Sequence, residues 1–181
     1  MINEDDAARH PRYEEFKKKF WSFPTIYGHE YVVGCFMRWV AMAVLGGGIM
    51  VDYDVMNYGF KPQEFQSEKL TIISDTEIPV TYLGVVQGPA HLFDAMSEVF
   101  FAWEPDKRDW KAEANALHCD DNSFVVQFLN SHTRECPPWL AVKDGCTRFP
   151  KITGQLVHYG YEMRAAGYWP KCDFVEQVRP F

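Results

Sequence analysis

Asp52 and Asp54 stand one residue apart at the end of the stretch LGGGIMVDYDV, residues 45–55. Burying an unpaired carboxylate is costly, and the group otherwise shifts its pKa until it neutralises. Two carboxylates closing an apolar run therefore need a compensating charge or open water. Spaced i and i+2 where strand alternation relaxes, both can reach one ion, and hard cations such as Mg2+ and Mn2+ prefer oxygen ligands. A solvated Asp-rich turn is the other reading of the same spacing.

Other groups able to do chemistry lie elsewhere along the chain. Arg38, in CFMRWV, is a guanidinium inside an apolar segment and can pair with a structural carboxylate. Asp120 and Asp121, in CDDN, fall at a predicted helix start, where the helix dipole stabilises carboxylates and capping accounts for one of the two. His158, in LVHYGYEMR, follows an apolar pair, the usual setting of a structural histidine. His91, in QGPAH, has no role assigned.

The elements that must position these groups read as alternating helix and strand. PRYEEFKKKFWSF places Tyr13, Phe16 and Phe20 on one helical face, which makes a surface helix. From Glu30 to Leu45 apolar residues run almost all round, so this helix is buried, and Gly46 to Gly48 end it by permitting positive φ. IMV is a short interior strand whose carboxyl end carries the aspartates, and in open α/β sheets the ligand crevice lies outside such ends. KLTIIS and VTYLGVV read as strands. PAHLFDAMSEVFFAW is a helix with Leu92, Phe93, Met96, Val99, Phe100 and Trp103 on one face. CDDNSFVVQFLN opens another helix, and GQLVHYGYEMRAAGYWPK a short strand into a loop. The Pro- and Cys-rich stretch between them has no assignment.

With 181 residues, 47% of them hydrophobic, the chain fills one core, and a single domain over 1–181 is expected, residues 1–10 being flexible. A net charge of -7 gives no positive field for a nucleic-acid backbone. Five cysteines, at 35, 119, 136, 146 and 172, show no CxxC pair, and the odd number fits a reduced compartment, so a cytoplasmic location is expected. The charged N-terminus lacks the apolar core of an export signal. Residues 31–51 are long enough for a membrane span, but Arg38 and three glycines argue against one.

The segment CFMRWVAMAVLGGGIMVDYDV resembles the sugar-binding region of glycosyltransferases that carry the DXD motif, a group that includes initiating mannosyltransferases, capsular polysaccharide transferases and the catalytic domains of glucosylating toxins. In that pattern a helix carrying an arginine leads into a Gly-Gly turn, a short apolar strand and the paired aspartates. Arg38, Gly47, Gly48, Asp52 and Asp54 match it in order. The resemblance implies an α/β fold of GT-A type and transfer of a sugar from a nucleotide-diphosphate donor to a glycan or other hydroxyl acceptor. It implies Asp52 on the ribose or the metal, Asp54 as direct ligand of Mn2+ or Mg2+, and His158 as a further ligand. It also implies Arg38 at the donor sugar or its phosphate, and Asp120 or Asp121 as the carboxylate that orients the acceptor or stabilises an oxocarbenium-like centre.

This chain departs from the pattern in three places. Little more than one helix precedes Arg38, so the nucleotide-binding half is expected to be abbreviated, with the base pocket incomplete, supplied by another subunit of a homo-oligomer, or absent because the chain is a fragment. Cys35 stands where an aspartate is usual, and the turn has a third glycine. A non-catalytic module binding nucleotide sugar or carbohydrate is the alternative, and a haloacid dehalogenase-like phosphatase, which also ends an apolar strand in D-x-D, is a more distant one.

Overall fold

The computed structural model describes residues 2–25, 28–52, 55–57, 68–75, 85–104, 121, 124–125, 138–148 and 156–158, with backbone alone for 55–57, 73–75, 141–148 and 156–158. Three helices come first: α1 (Glu4–Ala7), α2 (Tyr13–Trp21) and α3 (His29–Val44). The start of the chain, expected to be flexible, is thus partly helical. The Asn3 side chain accepts from the Asp6 amide at 3.0 Å and Asp6 accepts from the Asn3 amide at 3.1 Å, a reciprocal capping box. Ala7 is buried and α1 packs on α3.

On α2 the apolar pair Phe16 and Phe20, four residues apart, is fully buried. Glu14 and Glu15 in its first turn and Lys18 and Lys19 in its last complement the helix dipole. α3 is the central helix, with Val32, Val33, Phe36, Met37, Trp39, Val40, Ala41 and Met42 all buried. Such burial on most sides follows from a segment with few polar residues, as its sequence predicted. Rings bind the helices together. Phe20 stacks on Phe36 at 4.8 Å, and Phe100 of α4 (Ala90–Ala102) meets Phe36 and Trp39 edge-on at 5.1 and 5.2 Å. Each such pair adds about 0.5–1.5 kcal/mol beyond its burial. No helix among the described residues is long and apolar enough to cross a membrane.

After α3 the chain turns through Gly46, Gly47 and Gly48, at φ 97°, 82° and 120°. The first strand, β1 (Gly47–Val51), begins two residues before the apolar run, because Gly47 and Gly48 already pair with Pro89 and Gly88 of β4 (Val85–Pro89). The approach at Gly47 is very close. A Cβ there would lie 2.5 Å from both the Ala90 amide nitrogen and the Gly88 carbonyl oxygen. The remaining strands are β2 (Val55–Asn57), β3 (Leu70–Asp75), β5 (Leu140–Arg148) and β6 (Leu156–His158). β5 falls in the stretch that had no assignment from sequence; of the VTYLGVV pattern, Val85 and Val86 lie in β4, and residues 80–84 lie outside the described residues.

The strands form one mixed sheet in the order β1-β4-β3-β5-β6-β2. β4 is antiparallel to both β1 and β3, β3, β5 and β6 run parallel, and β2 is antiparallel to β6. The fold is therefore mixed helix and sheet. β1 and β2 end the strand order on opposite sides, yet only residues 52–54 separate them. A flat sheet of this order would hold its outer strands about 24 Å apart. Four peptide steps reach at most about 14 Å. The sheet therefore curls until its ends approach each other, and Asp52 leaves β1 where they do.

Candidate functional site

Arg38 sits on the part of α3 that faces the end of β1. Its Nη1 donates to Asp52 Oδ1, and its Nε and Nη2 donate to Asp121 Oδ2 at 2.9 and 2.7 Å. The neighbouring Trp39 donates from Nε1 to the same Asp121 oxygen at 2.7 Å. One carboxylate oxygen thus collects three N–H groups from one turn of helix. The side chains grade from inside to outside: Asp121 is 2% exposed, Arg38 23% and Asp52 25%.

Burial is the largest influence on the Arg38 pKa and opposes its charge, but Asp121 and then Asp52 outweigh it, and the guanidinium is held above its ordinary value.

A cleft of about 930 Å³ opens beside the cluster, between α2, α3 and β1. Arg38 and Asp52 line it, whereas Asp121 does not. Asp121 braces Arg38 from within, and Arg38 braces Asp52 at the cleft wall. Asp121, for which the resemblance implies contact with an acceptor or a reacting carbon, is almost fully buried, and its Oδ2 accepts from Arg38 and Trp39. Arg38 likewise spends all three guanidinium nitrogens on carboxylates.

Gly47 and Gly48 shape β1, Gly47 by the close backbone approach and Gly48 by its positive φ alone, since a Cβ there would make only an ordinary 3.7 Å contact with Met42 Cε. Asp54 and Asp120 lie outside the described residues, as does the side chain of His158. The backbone of His158 is described, and its register partner is Val55, the residue that follows Asp54 in the chain.

Among the described residues no group of three or more His, Cys, Asp or Glu could hold a metal ion. The described part of the site offers one quarter-exposed carboxylate, Asp52, held by Arg38. A carboxylate oxygen is the donor type that hard cations take, and the other two ligands implied by the resemblance, Asp54 and His158, lie outside the residues whose side chains are described.

Sequence reasoning missed several residues here. Trp39 falls in the apolar run of α3, whose pattern marks burial but not the donation from Nε1 to Asp121. Lys17 and Trp21 of α2 line the cleft, together with Glu4 and Glu30. The available signal was the spacing of Tyr13, Lys17 and Trp21, a second i, i+4 stripe on α2 beside the Phe16–Phe20 stripe. No family model matches the chain, and no curated protein or solved structure matches it.

Proposed function

We propose that this protein is a metal-dependent glycosyltransferase of the DXD kind, with a sheet of GT-A type, transferring a sugar from a nucleotide-diphosphate donor to a hydroxyl acceptor. The observation that carries the reading is the pairing of Val55 with His158. Two stretches about a hundred residues apart, each singled out from sequence as a ligand source, are neighbours in the sheet. The curl of that sheet supports the same reading by bringing Asp52 towards them.

Asp52, Asp54 and His158 would hold Mn2+ or Mg2+, which when bound supplies positive charge to the leaving diphosphate. Arg38 holds Asp52 in place at the cleft wall, and Asp121 with Trp39 fixes Arg38. Preorganised carboxylates of this kind spare the site reorganisation when a cation binds.

The test is manganese-dependent release of UDP or GDP from nucleotide sugars, measured for the unaltered chain and for Asp54→Asn. Release that requires manganese and is lost in the variant supports the reading. Donor binding without release in any acceptor mixture would instead make the chain a binding module.

A further inference from the structure

The start of the chain supplies part of the cleft wall. Ile2, Asn3 and Glu4 line the cleft with Lys17 and Trp21 of α2 and with Asp52 at the end of β1. The reciprocal capping of Asn3 and Asp6 makes this tip and the single turn of α1 one unit.

The two ends of that unit are held by contacts of different kinds. At the base, Ala7 is 1% exposed, and the corner that follows it is fastened to α4 by two side chains. His10 Nε2 lies 3.1 Å from Asp94 Oδ1, and Arg12 Nη1 donates to Glu98. The corner is also tied to itself, because the Arg12 amide donates to His10 Nδ1 at 3.1 Å, and the imidazole packs against the buried Phe16 ring at 5.3 Å. At the tip, Ile2 is only partly buried against the core. The polar tie there, among the described residues, is one carboxylate oxygen: Glu4 Oε1 accepts from Lys17 Nζ at 2.5 Å and from the Tyr13 hydroxyl. The Glu4 and Lys17 side chains are 66% and 39% exposed, a setting in which an ion pair holds weakly and salt screens it.

From this contrast we propose that residues 2–7 are a strap on the cleft, latched at the tip by Glu4 and pivoting at the Ala7–Arg12 corner, so that ionic strength sets how far the cleft stands open. Opening parts Glu4 from Tyr13 and Lys17 and lifts Ile2 from the edge of the core. The base stays on α4, which makes this a local opening and not the onset of unfolding. Access to Asp52 would then be governed by a contact remote from it. The strap itself is independent of the transferase reading.

Trp21 is the reporter, since it lines the cleft one helical turn beyond Lys17. Its fluorescence is the difference between the unaltered chain and Trp21→Phe, and acrylamide, an uncharged quencher, reads its accessibility. Between about 0.02 and about 0.5 M sodium chloride the quenching constant of Trp21 should rise roughly twofold. Glu4→Gln, measured against its own Trp21→Phe counterpart, should start at the high-salt value and respond little to salt. Glu104→Gln removes another exposed pair, that with Lys19, and should behave like the unaltered chain. Quenching of Trp21 that ignores salt in the unaltered chain overturns the strap, and that result needs no variant at the latch. A Glu4→Gln chain that keeps the unaltered salt response overturns it too. So does a rise shared equally by the tryptophans left in Trp21→Phe, which would be a general loosening of the fold.

Discussion

Arg38 donates to a single oxygen of Asp121 through two nitrogens, across 83 positions of sequence. The pair is the inner half of a relay whose outer half is Arg38 with Asp52. Because Asp121 is almost fully buried and Asp52 is not, the two carboxylates contribute unequally, although both face the same guanidinium.

Asp121→Ala should therefore destabilise the protein by roughly 3–5 kcal/mol, the usual cost of leaving one half of a buried ion pair behind. Asp52→Ala should cost about 1 kcal/mol, since water can reach the vacated side of Arg38. Urea denaturation of both variants measures the difference. Equal losses would mean that the two carboxylates share the load evenly, contrary to their burial.

The turn offers a second comparison. Gly46 and Gly47 both have positive φ, at a cost of about 1–2 kcal/mol for any residue with a Cβ. A Cβ at Gly46 meets nothing within 4 Å, whereas one at Gly47 would collide with backbone atoms of Gly88 and Ala90. Gly46→Ala should thus fold with a modest loss. Gly47→Ala should lose several kcal/mol more, because the fixed pairing of β1 with β4 cannot give way. Thermal melts that rank the two variants the other way would contradict this packing.

Legibility from sequence follows the range of the interactions involved. The buried character of α3, the Phe16–Phe20 stripe and the glycine break depend on neighbours in the chain, and periodicity exposed them. Arg38 and Asp52 were singled out by order along a motif, and the structure joins them directly. The Asp121 contact was not legible, since nothing local distinguishes a capping aspartate from one that reaches back to an earlier helix. Strand order was hidden for the same reason: β5 inserts between β3 and β6 from a stretch without a clear pattern. The requirement at Gly47 comes from the approach of Gly88 and Ala90, which no property of the turn itself announces.

The pair at the cleft rim predicts a pH response. Lys17 first, and Tyr13 after it, hold the Glu4 carboxyl below its ordinary 4.5, while Glu4 raises Lys17. A lowered carboxyl contributes stability that is complete above its unfolded value and is lost as pH falls through the folded one. A raised amine contributes stability that is complete below its unfolded value and is lost as pH climbs through the folded one. The midpoint difference between the unaltered chain and Glu4→Gln should therefore hold level from about pH 6 to 9 and shrink below about pH 4. A difference that grows on acidification would show that Glu4 is not ionised in this pair.

Metal binding gives the most direct test of the site, and it has a readout besides activity. At a manganese concentration about a hundred times the dissociation constant, the native state gains about 2.7 kcal/mol, which appears as a raised melting temperature. Asp54→Asn should remove this gain while leaving the metal-free midpoint in place or slightly raised, since it removes one of two neighbouring like charges. His158→Ala should weaken the gain and change its pH dependence. A neutral imidazole ligand loses its lone pair on protonation, so in the unaltered chain the manganese effect should fade as pH drops through roughly 6.5. Without the imidazole the fade should move towards the carboxylate range. If Asp54→Asn keeps the full manganese shift, the paired aspartates are a solvated turn. If only His158→Ala behaves like the unaltered chain, the pairing of Val55 with His158 serves the sheet alone, and the third ligand must come from another part of the chain.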